Sequence, residues 1–233
     1  RFRPGDQLIA CDGQGTDYIG ELKEGAGDKV ICRILRRVPS AGEPDLQVTL
    51  AQSLPKGDKW EWVLQKGTEL GAASFLPFTS RRTVVKWDQA KAEKRRARWK
   101  RILKEAAEQS HRGRIPTVFP VTDWNGLLQA ITRAELALIA YEGGGEAFTA
   151  ALSRERVSNL LLIVGPEGGW EEEEILQARE AGAIPVSLGT RILRTETAAI
   201  AMLACAMYEK GEMGGEKDEH GGFSHFGLQS ERL

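Results

Sequence analysis

The feature that most restricts the fold is a pair of matching passages near the C-terminus, each an apolar strand-like run, a glycine-bearing loop and a helix start. In the first, Asn159 to Val164 leads into Gly165-Pro166-Glu167-Gly168-Gly169 and then the acidic helix start Glu171 to Glu174. In the second, Ala183 to Leu188 leads into Gly189-Thr190-Arg191-Ile192-Leu193-Arg194, then Thr195-Glu196-Thr197 and a helix-like run from Ala198 to Lys210. Each places glycine where a buried strand ends and a helix begins. Open α/β sheets hold ligands outside the carboxyl ends of their strands, so the two loops are expected to share one small-molecule site.

The preceding chain has the same alternation. Leu46 to Leu50 reads as a strand, Trp60 to Leu70 as a helix stopped by a left-handed Gly71, and Ser74 to Phe78 as a strand. Asp88 to His111 reads as a long helix with Trp99, Ile102, Leu103, Ala106 and Ser110 on its apolar face, so Trp99 is expected in the core. A helix follows over Asp123 to Arg133 with Asp123 as N-cap, then a strand over Glu135 to Tyr141. Alternating elements predict an α/β fold, a mostly parallel sheet with helices on both faces. The first 42 residues differ, with three short strands between turn residues such as Asp12-Gly13, as in a small barrel or half-barrel. The expected organisation is a β-rich domain over 1–42, an α/β domain over 45–212 and a mobile tail over 213–233.

Composition narrows the functional classes. The 233 residues, 41% of them apolar, suffice for one or two domains, and a net charge of −1 gives no global attraction for nucleic acid. Basic surface must therefore be local. It is concentrated in Lys91 to Arg101, with Arg81, Arg82, Lys86, Arg112 and Arg114 nearby, most of it read as a solvated helix face. The three cysteines are far apart, and two of the three histidines, His220 and His225, lie in the tail. No metal site or disulfide framework is expected, and a reducing cytoplasm fits best. The longest apolar stretch, Ala198 to Tyr208, is well short of the roughly 20 residues of a membrane span. The chain begins at Arg1 without methionine, which leaves room for a preceding segment.

The two loops carry different chemistry. Gly165 to Gly169 matches neither G-x-G-x-x-G nor a Walker loop, and the glutamates after it would repel a phosphate at the helix N-terminus. In the second loop, Ile192 and Leu193 suit an apolar slot such as an adenine pocket. Arg194 carries a permanent charge for an anion or a charge that develops during reaction, and Thr195 or Thr197 is placed to cap the helix. The alanines after them permit close backbone approach.

Leu161 to Gly169 together with Leu188-Gly189-x-Arg191-Ile192-Leu193-Arg194-Thr195-Glu196-Thr197-Ala198 closely resembles the RsmE family of bacterial 16S rRNA (uracil-N3) methyltransferases, in the SPOUT superfamily. Gln65 to Gly71, Glu108-Gln109-Ser110 and the Arg81-Arg82 pair add to the resemblance, which spans about Leu46 to Lys210. It implies a C-terminal trefoil knot, a homodimer, and S-adenosylmethionine bent against the loops. Cofactor contacts are then expected from Leu138, Ala140, Tyr141, Gly165, Pro166, Glu167, Gly168, Leu188, Gly189, Ile192, Leu193, Thr195 and Ala198. The family's N-terminal module is a PUA-type RNA-binding barrel, whose place the β-rich residues take in shortened form. For N3 methylation of a uridine in the small ribosomal subunit, Arg194 is expected to stabilise negative charge on the uracil, and Glu196 or Glu167 to accept its proton. Arg81, Arg82, Arg112 and Arg114 are the expected RNA contacts. Rival readings are a ribose 2′-O-methyltransferase of the same superfamily, a non-catalytic RNA-binding assembly factor, and, with little support, a nucleotide-binding α/β protein.

Overall fold

A computed structural model describes residues 3–26, 29–85, 89–153 and 157–214. Most of the expected tail, Lys86 and Asp88, and both tail histidines lie outside them. The chain divides into two compact units. Among the described residues, one joins the N-terminal residues up to Glu43 to Ala107–Ile115, and the other contains Pro44–Ala106 and residues 116–214.

In the N-terminal unit, β1 (Gln7–Cys11), β2 (Thr16–Ala26) and β3 (Lys29–Pro39) form an open antiparallel sheet in the order β1-β2-β3. The Asp12-Gly13 turn forms as its residues require. Asp12 Oδ1 accepts from the backbone N–H groups of Gln14 (2.7 Å) and Thr16 (3.1 Å), and Gly13 and Gly15 adopt positive φ (70° and 102°). β2 and β3 outrun their apolar runs because pairing with each other extends them through polar residues, to Tyr18↔Arg37 and Thr16↔Pro39. The segment after Gln109 belongs here: Gly113 O accepts from Gly15 N–H (2.9 Å), and Ile115 N–H donates to Gly13 O (3.0 Å).

Arg112, expected to meet RNA, is instead buried in this unit with its side chain 6% exposed. Its Nη2 donates to Glu43 Oε2 (2.7 Å), and Glu43 Oε1 also accepts from the backbone N–H of Arg114 (3.0 Å). Removing one member of a buried ion pair strands the other. Glu43→Ala is therefore expected to destabilise the protein by roughly 3 kcal/mol, read as a lower midpoint in urea denaturation.

The second unit alternates as its pattern predicts. In chain order it contains β4 (Gln47–Ser53), α1 (Lys59–Glu69), β5 (Ser74–Phe78), α2 (Gln89–Gln109, its last turn grouped with the first unit), β6 (Thr117–Val118) and α3 (Trp124–Arg133). Then follow β7 (Leu136–Ala140), β8 (Glu146–Ala147), α4 (Phe148–Ser153), β9 (Asn159–Val164), α5 (Glu172–Glu180), β10 (Ile184–Ser187) and α6 (Thr195–Glu209). The strands pair in parallel in the order β6-β5-β4-β9-β7-β10-β8. The two-residue strands β6 and β8 and the short α4 have no sequence period to announce them.

Both faces of the sheet are covered, as successive residues of β9 demonstrate. Leu160, Leu162 and Val164 pack in a core with Trp60, Leu64, Trp99, Leu103 and Met202, on α1, α2 and α6. Leu161 and Ile163 point the other way, into a core with Leu127, Ile131, Ile175 and Ala178, on α3 and α5. Such two-sided burial is why the central strands read as unbroken apolar runs. Trp99 is 1% exposed and meets Trp60 edge to face, so it is core as expected. Asp123 caps α3 through Gly126 N–H (2.9 Å), and Gly71 ends α1 at φ 97°. Among the described residues no helix is long and apolar enough to cross a membrane, and no three His, Cys, Asp or Glu side chains converge as a metal site.

Candidate active site

Strands β9, β7 and β10 are neighbours, so the loops at their carboxyl ends stand side by side. Between them lies a cavity of about 440 Å³, within the range usual for small-molecule sites. Its walls are Ala140 to Glu142 after β7, Val164 to Glu167 with Gly169 and Trp170 after β9, and Val186 to Thr195 after β10. Lys59 of α1 and Ala198 of α6 complete it. Twelve residues singled out from sequence are therefore brought together: Ala140, Tyr141, Gly165, Pro166, Glu167, Leu188, Gly189, Ile192, Leu193, Arg194, Thr195 and Ala198. Three are not part of the lining. Leu138 is fully buried in the core, Gly168 turns its carbonyl to Arg82 Nη1 (2.9 Å), and Glu196 stands off the cavity wall.

A buried hydrogen-bonded strut ties the two glycine loops together. Thr195 Oγ1 donates to Gly165 O (2.6 Å) and accepts from Nε2 of Gln52 (2.6 Å), at the end of β4. This corrects the capping role expected of Thr195 or Thr197. Helix α6 begins at Thr195 itself, with Arg194 in the cap position and no side-chain cap, because the threonine hydroxyl is engaged by Gly165 and Gln52. Thr195→Val keeps the shape but removes both bonds at a site 7% exposed. It is expected to cost about 1–3 kcal/mol of stability and to weaken ligand binding, measured by urea unfolding and calorimetry.

An aromatic stack supports one wall. The Trp170 ring lies parallel to Phe78 (centroids 6.1 Å apart, 7° between planes), and its Nε1 donates to Ala140 O (2.8 Å). Of the apolar residues that line the cavity after β10, Leu188 and Leu193 are partly buried, whereas Ile192 is 84% exposed.

The charges of the site are largely paired. Arg81 reaches Glu171 (2.9 Å) and Glu173, while its backbone N–H donates to Glu174 Oε1 (2.9 Å). With Arg82 on Gly168 O, this strand-end pair braces the start of α5. The acidic first turn is thus engaged by these arginines as well as by the helix macrodipole. Lys59, which sequence reasoning missed, donates to Glu167 Oε1 (3.1 Å) and lies 3.5 Å from Glu196 Oε2. The hydrogen bond to Glu167 holds the ammonium above its ordinary value. Burial pushes the Glu167 carboxyl up, but hydrogen bonds from its own and the Lys56 backbone and from Lys59 outweigh it, holding Glu167 below the usual carboxylate range. Nothing local in the sequence marks Lys59, since both its carboxylates lie more than a hundred residues downstream.

The cavity sets an apolar slot and a charged rim over the carboxyl ends of three parallel strands, where α/β folds hold small molecules. A family model described as an RNA methyltransferase domain matches residues 42–207. The chain belongs to the RsmE family of S-adenosylmethionine-dependent rRNA methyltransferases, within the SPOUT superfamily. It is 42% identical over 223 residues to ribosomal RNA small subunit methyltransferase E of Bacillus subtilis, covering 93% of this chain and 87% of the relative. The Mycobacterium tuberculosis protein of that name is 37% identical over 210 residues, covering 87% and 78%. Among solved structures, the Neisseria gonorrhoeae enzyme of that name bound to S-adenosyl methionine superposes with a TM-score of 0.76 at 34% identity, covering 89% and 85%. A Legionella pneumophila putative methyltransferase in complex with SAM gives 0.78 at 32%, again covering 89% and 85%.

Proposed function

We propose that the cavity is the active site of a 16S rRNA (uracil-N3) methyltransferase. The observation that carries this reading is the convergence of the three strand-end loops on one cavity, in a fold shared with cofactor-bound relatives. The residues fit S-adenosylmethionine. Leu188, Leu193 and Ile192 offer an apolar slot for an adenine, the volume suits a molecule of that size, and Glu167 and Glu142 offer negative charge to a cationic ligand.

Bound S-adenosylmethionine supplies a methyl group activated on a sulfonium. The protein's task is to make uracil N3 able to accept it. N3 carries a weakly acidic proton and is tied up in base pairing, so the target base must be unpaired or splayed out. Arg194, at the start of α6 and on the cavity wall, meets the negative charge that spreads onto the uracil carbonyl oxygens as the proton leaves. Glu167, on the cavity wall, and Glu196, behind it beside Lys59, are the carboxylates proposed as acceptor.

The strand order, with β7 between β9 and β10, is compatible with the trefoil knot that the family resemblance implies. Exposed Tyr208 on α6 offers apolar surface to a second copy in a homodimer. The N-terminal sheet takes the place of a PUA-like RNA-binding module, with Arg114 exposed on it. Arg81 and Arg82 meet RNA only by sharing their present acidic and carbonyl partners, and Arg112 acts through the fold. Its place is the cytoplasm, with the small ribosomal subunit.

The test is to methylate small-subunit particles from a strain lacking the enzyme and to analyse the nucleosides by mass spectrometry. N3-methyluridine in 16S rRNA is expected. A 2′-O-methyl product, or no S-adenosylmethionine binding by calorimetry, would overturn the reading.

A further inference from the structure

Three elements of the second unit meet at the Lys59 ammonium. Lys59 is the first residue of α1, Glu167 belongs to the β9–α5 loop, and Glu196 is the second residue of α6. A cation in the first turn of a helix works against the helix macrodipole, so the two carboxylates offset an unfavourable placement. They are not equivalent. Glu167 lines the cavity, and its Oε1 accepts both from Lys59 Nζ and from the Lys56 backbone N–H, each at 3.1 Å. Neither of these donors engages its Oε2. Glu196 is absent from the cavity wall, and its Oε2 is buried without a hydrogen bond, 3.5 Å from Lys59. A buried carboxylate oxygen so placed needs a neighbouring cation, and Lys59 provides it. The triad therefore has a direction. Glu196 seats the lysine, and the lysine grips one oxygen of the carboxylate that faces the ligand.

We propose that Lys59 is a positioning residue: seated by Glu196, it clamps Oε1 of Glu167 and leaves Glu167 Oε2 as the base that takes the N3 proton of the target uracil. The assignment rests on methylation at N3 as proposed above. In the step, the N3–H bond breaks and an O–H bond forms on Glu167 Oε2. The electron pair stays on N3 and spreads onto the carbonyl oxygens beside Arg194. The donors on Oε1 fix the orientation of the carboxylate and hold Glu167 below the usual carboxylate range. They also make it a weak base, so stabilising the uracil anion falls to Arg194.

The test compares Lys59→Met and Lys59→Arg with the unaltered protein. In Lys59→Met, kcat on small-subunit particles is expected to fall about tenfold to a hundredfold, less than the roughly hundredfold to ten-thousandfold that a general base contributes, because Glu167 itself remains. KM for the particles and the calorimetric Kd for S-adenosylmethionine should change less than about threefold. Lys59→Arg should recover much of kcat. A second readout needs neither cofactor nor activity: 13C NMR titration of labelled glutamate, with Glu167→Gln assigning the signal. The Glu167 midpoint, held below the ordinary range in the unaltered protein, should move up in Lys59→Met and return in Lys59→Arg. An unchanged kcat, a cofactor affinity lost in step with kcat, or a stationary Glu167 midpoint would each overturn the proposal. If the unaltered protein makes no N3-methyluridine, the function reading fails instead, and the titration still decides whether the clamp exists.

Discussion

Gly165→Ala is expected to cost the protein most of its cofactor binding while leaving it folded. A Cβ built on Gly165 falls 2.7 Å from Trp170 Cε2 and 2.9 Å from Nε1, closer than real Cβ contacts come. The indole is not a neighbour that yields, since it is stacked on Phe78 and hydrogen-bonded to Ala140 O. Nor is the backbone of Gly165 free to retreat, because its carbonyl accepts from Thr195. The strain must be relieved by moving the β9–α5 loop or the Thr195 strut, and both border the cavity. Overpacking of this kind costs about 1–3 kcal/mol, and each 1.4 kcal/mol expressed in binding is about tenfold in Kd. Calorimetry with S-adenosylmethionine should therefore show at least about a tenfold weaker Kd, with a moderate fall in the urea midpoint. An unchanged affinity would mean that the loop does not hold the cofactor.

That reasoning needed coordinates, and the reason marks where the sequence stopped being legible. Local chemistry was readable. Asp12-Gly13, Gly71 and Asp123 do what their residue types dictate, and the buried strands read as apolar runs because both their faces are covered. The cavity loops were found because glycine-bearing turns after such strands are uncommon in combination. What failed depended on partners far along the chain. Thr195 looked like a cap because a hydroxyl beside a helix start usually is one, whereas Gly165 and Gln52, 30 and 143 residues away, claim it. Arg112 looked like one of a basic set, and only the fold brings Glu43, 69 residues earlier, against it. Lys59 passed unnoticed among many lysines because both its carboxylates arrive from more than a hundred residues downstream. Pairing across such separations leaves no periodic trace in a single sequence.

Arg194→Ala should abolish methylation and leave the fold and most of the cofactor affinity intact. Arg194, like Arg191 on the same cavity wall, has no committed side-chain partner among the described residues. Arg81 and Arg82 are held by Glu171, Glu173 and Gly168, whereas the Arg194 guanidinium makes no hydrogen bond or ion pair with the described residues. Its structural duty is done by the backbone, whose carbonyl accepts from Ala198 N–H at 2.8 Å, and alanine preserves that bond. Its extended φ and ψ of −63° and 151° are open to any L-residue, so the substitution adds no strain. A cation kept unpaired on a cavity wall is in place for a charge that exists only during reaction. Removing one such preorganised donor typically lowers kcat by about a hundredfold to a thousandfold. Methyl incorporation into small-subunit particles should fall by at least that much, with the calorimetric Kd for S-adenosylmethionine changed by less than about fivefold. Arg194→Lys keeps the charge but loses the planar fork and should recover only part of the rate. A normal rate in Arg194→Ala would remove the arginine from the chemistry. Equal losses of rate and cofactor affinity would make it a binding residue instead.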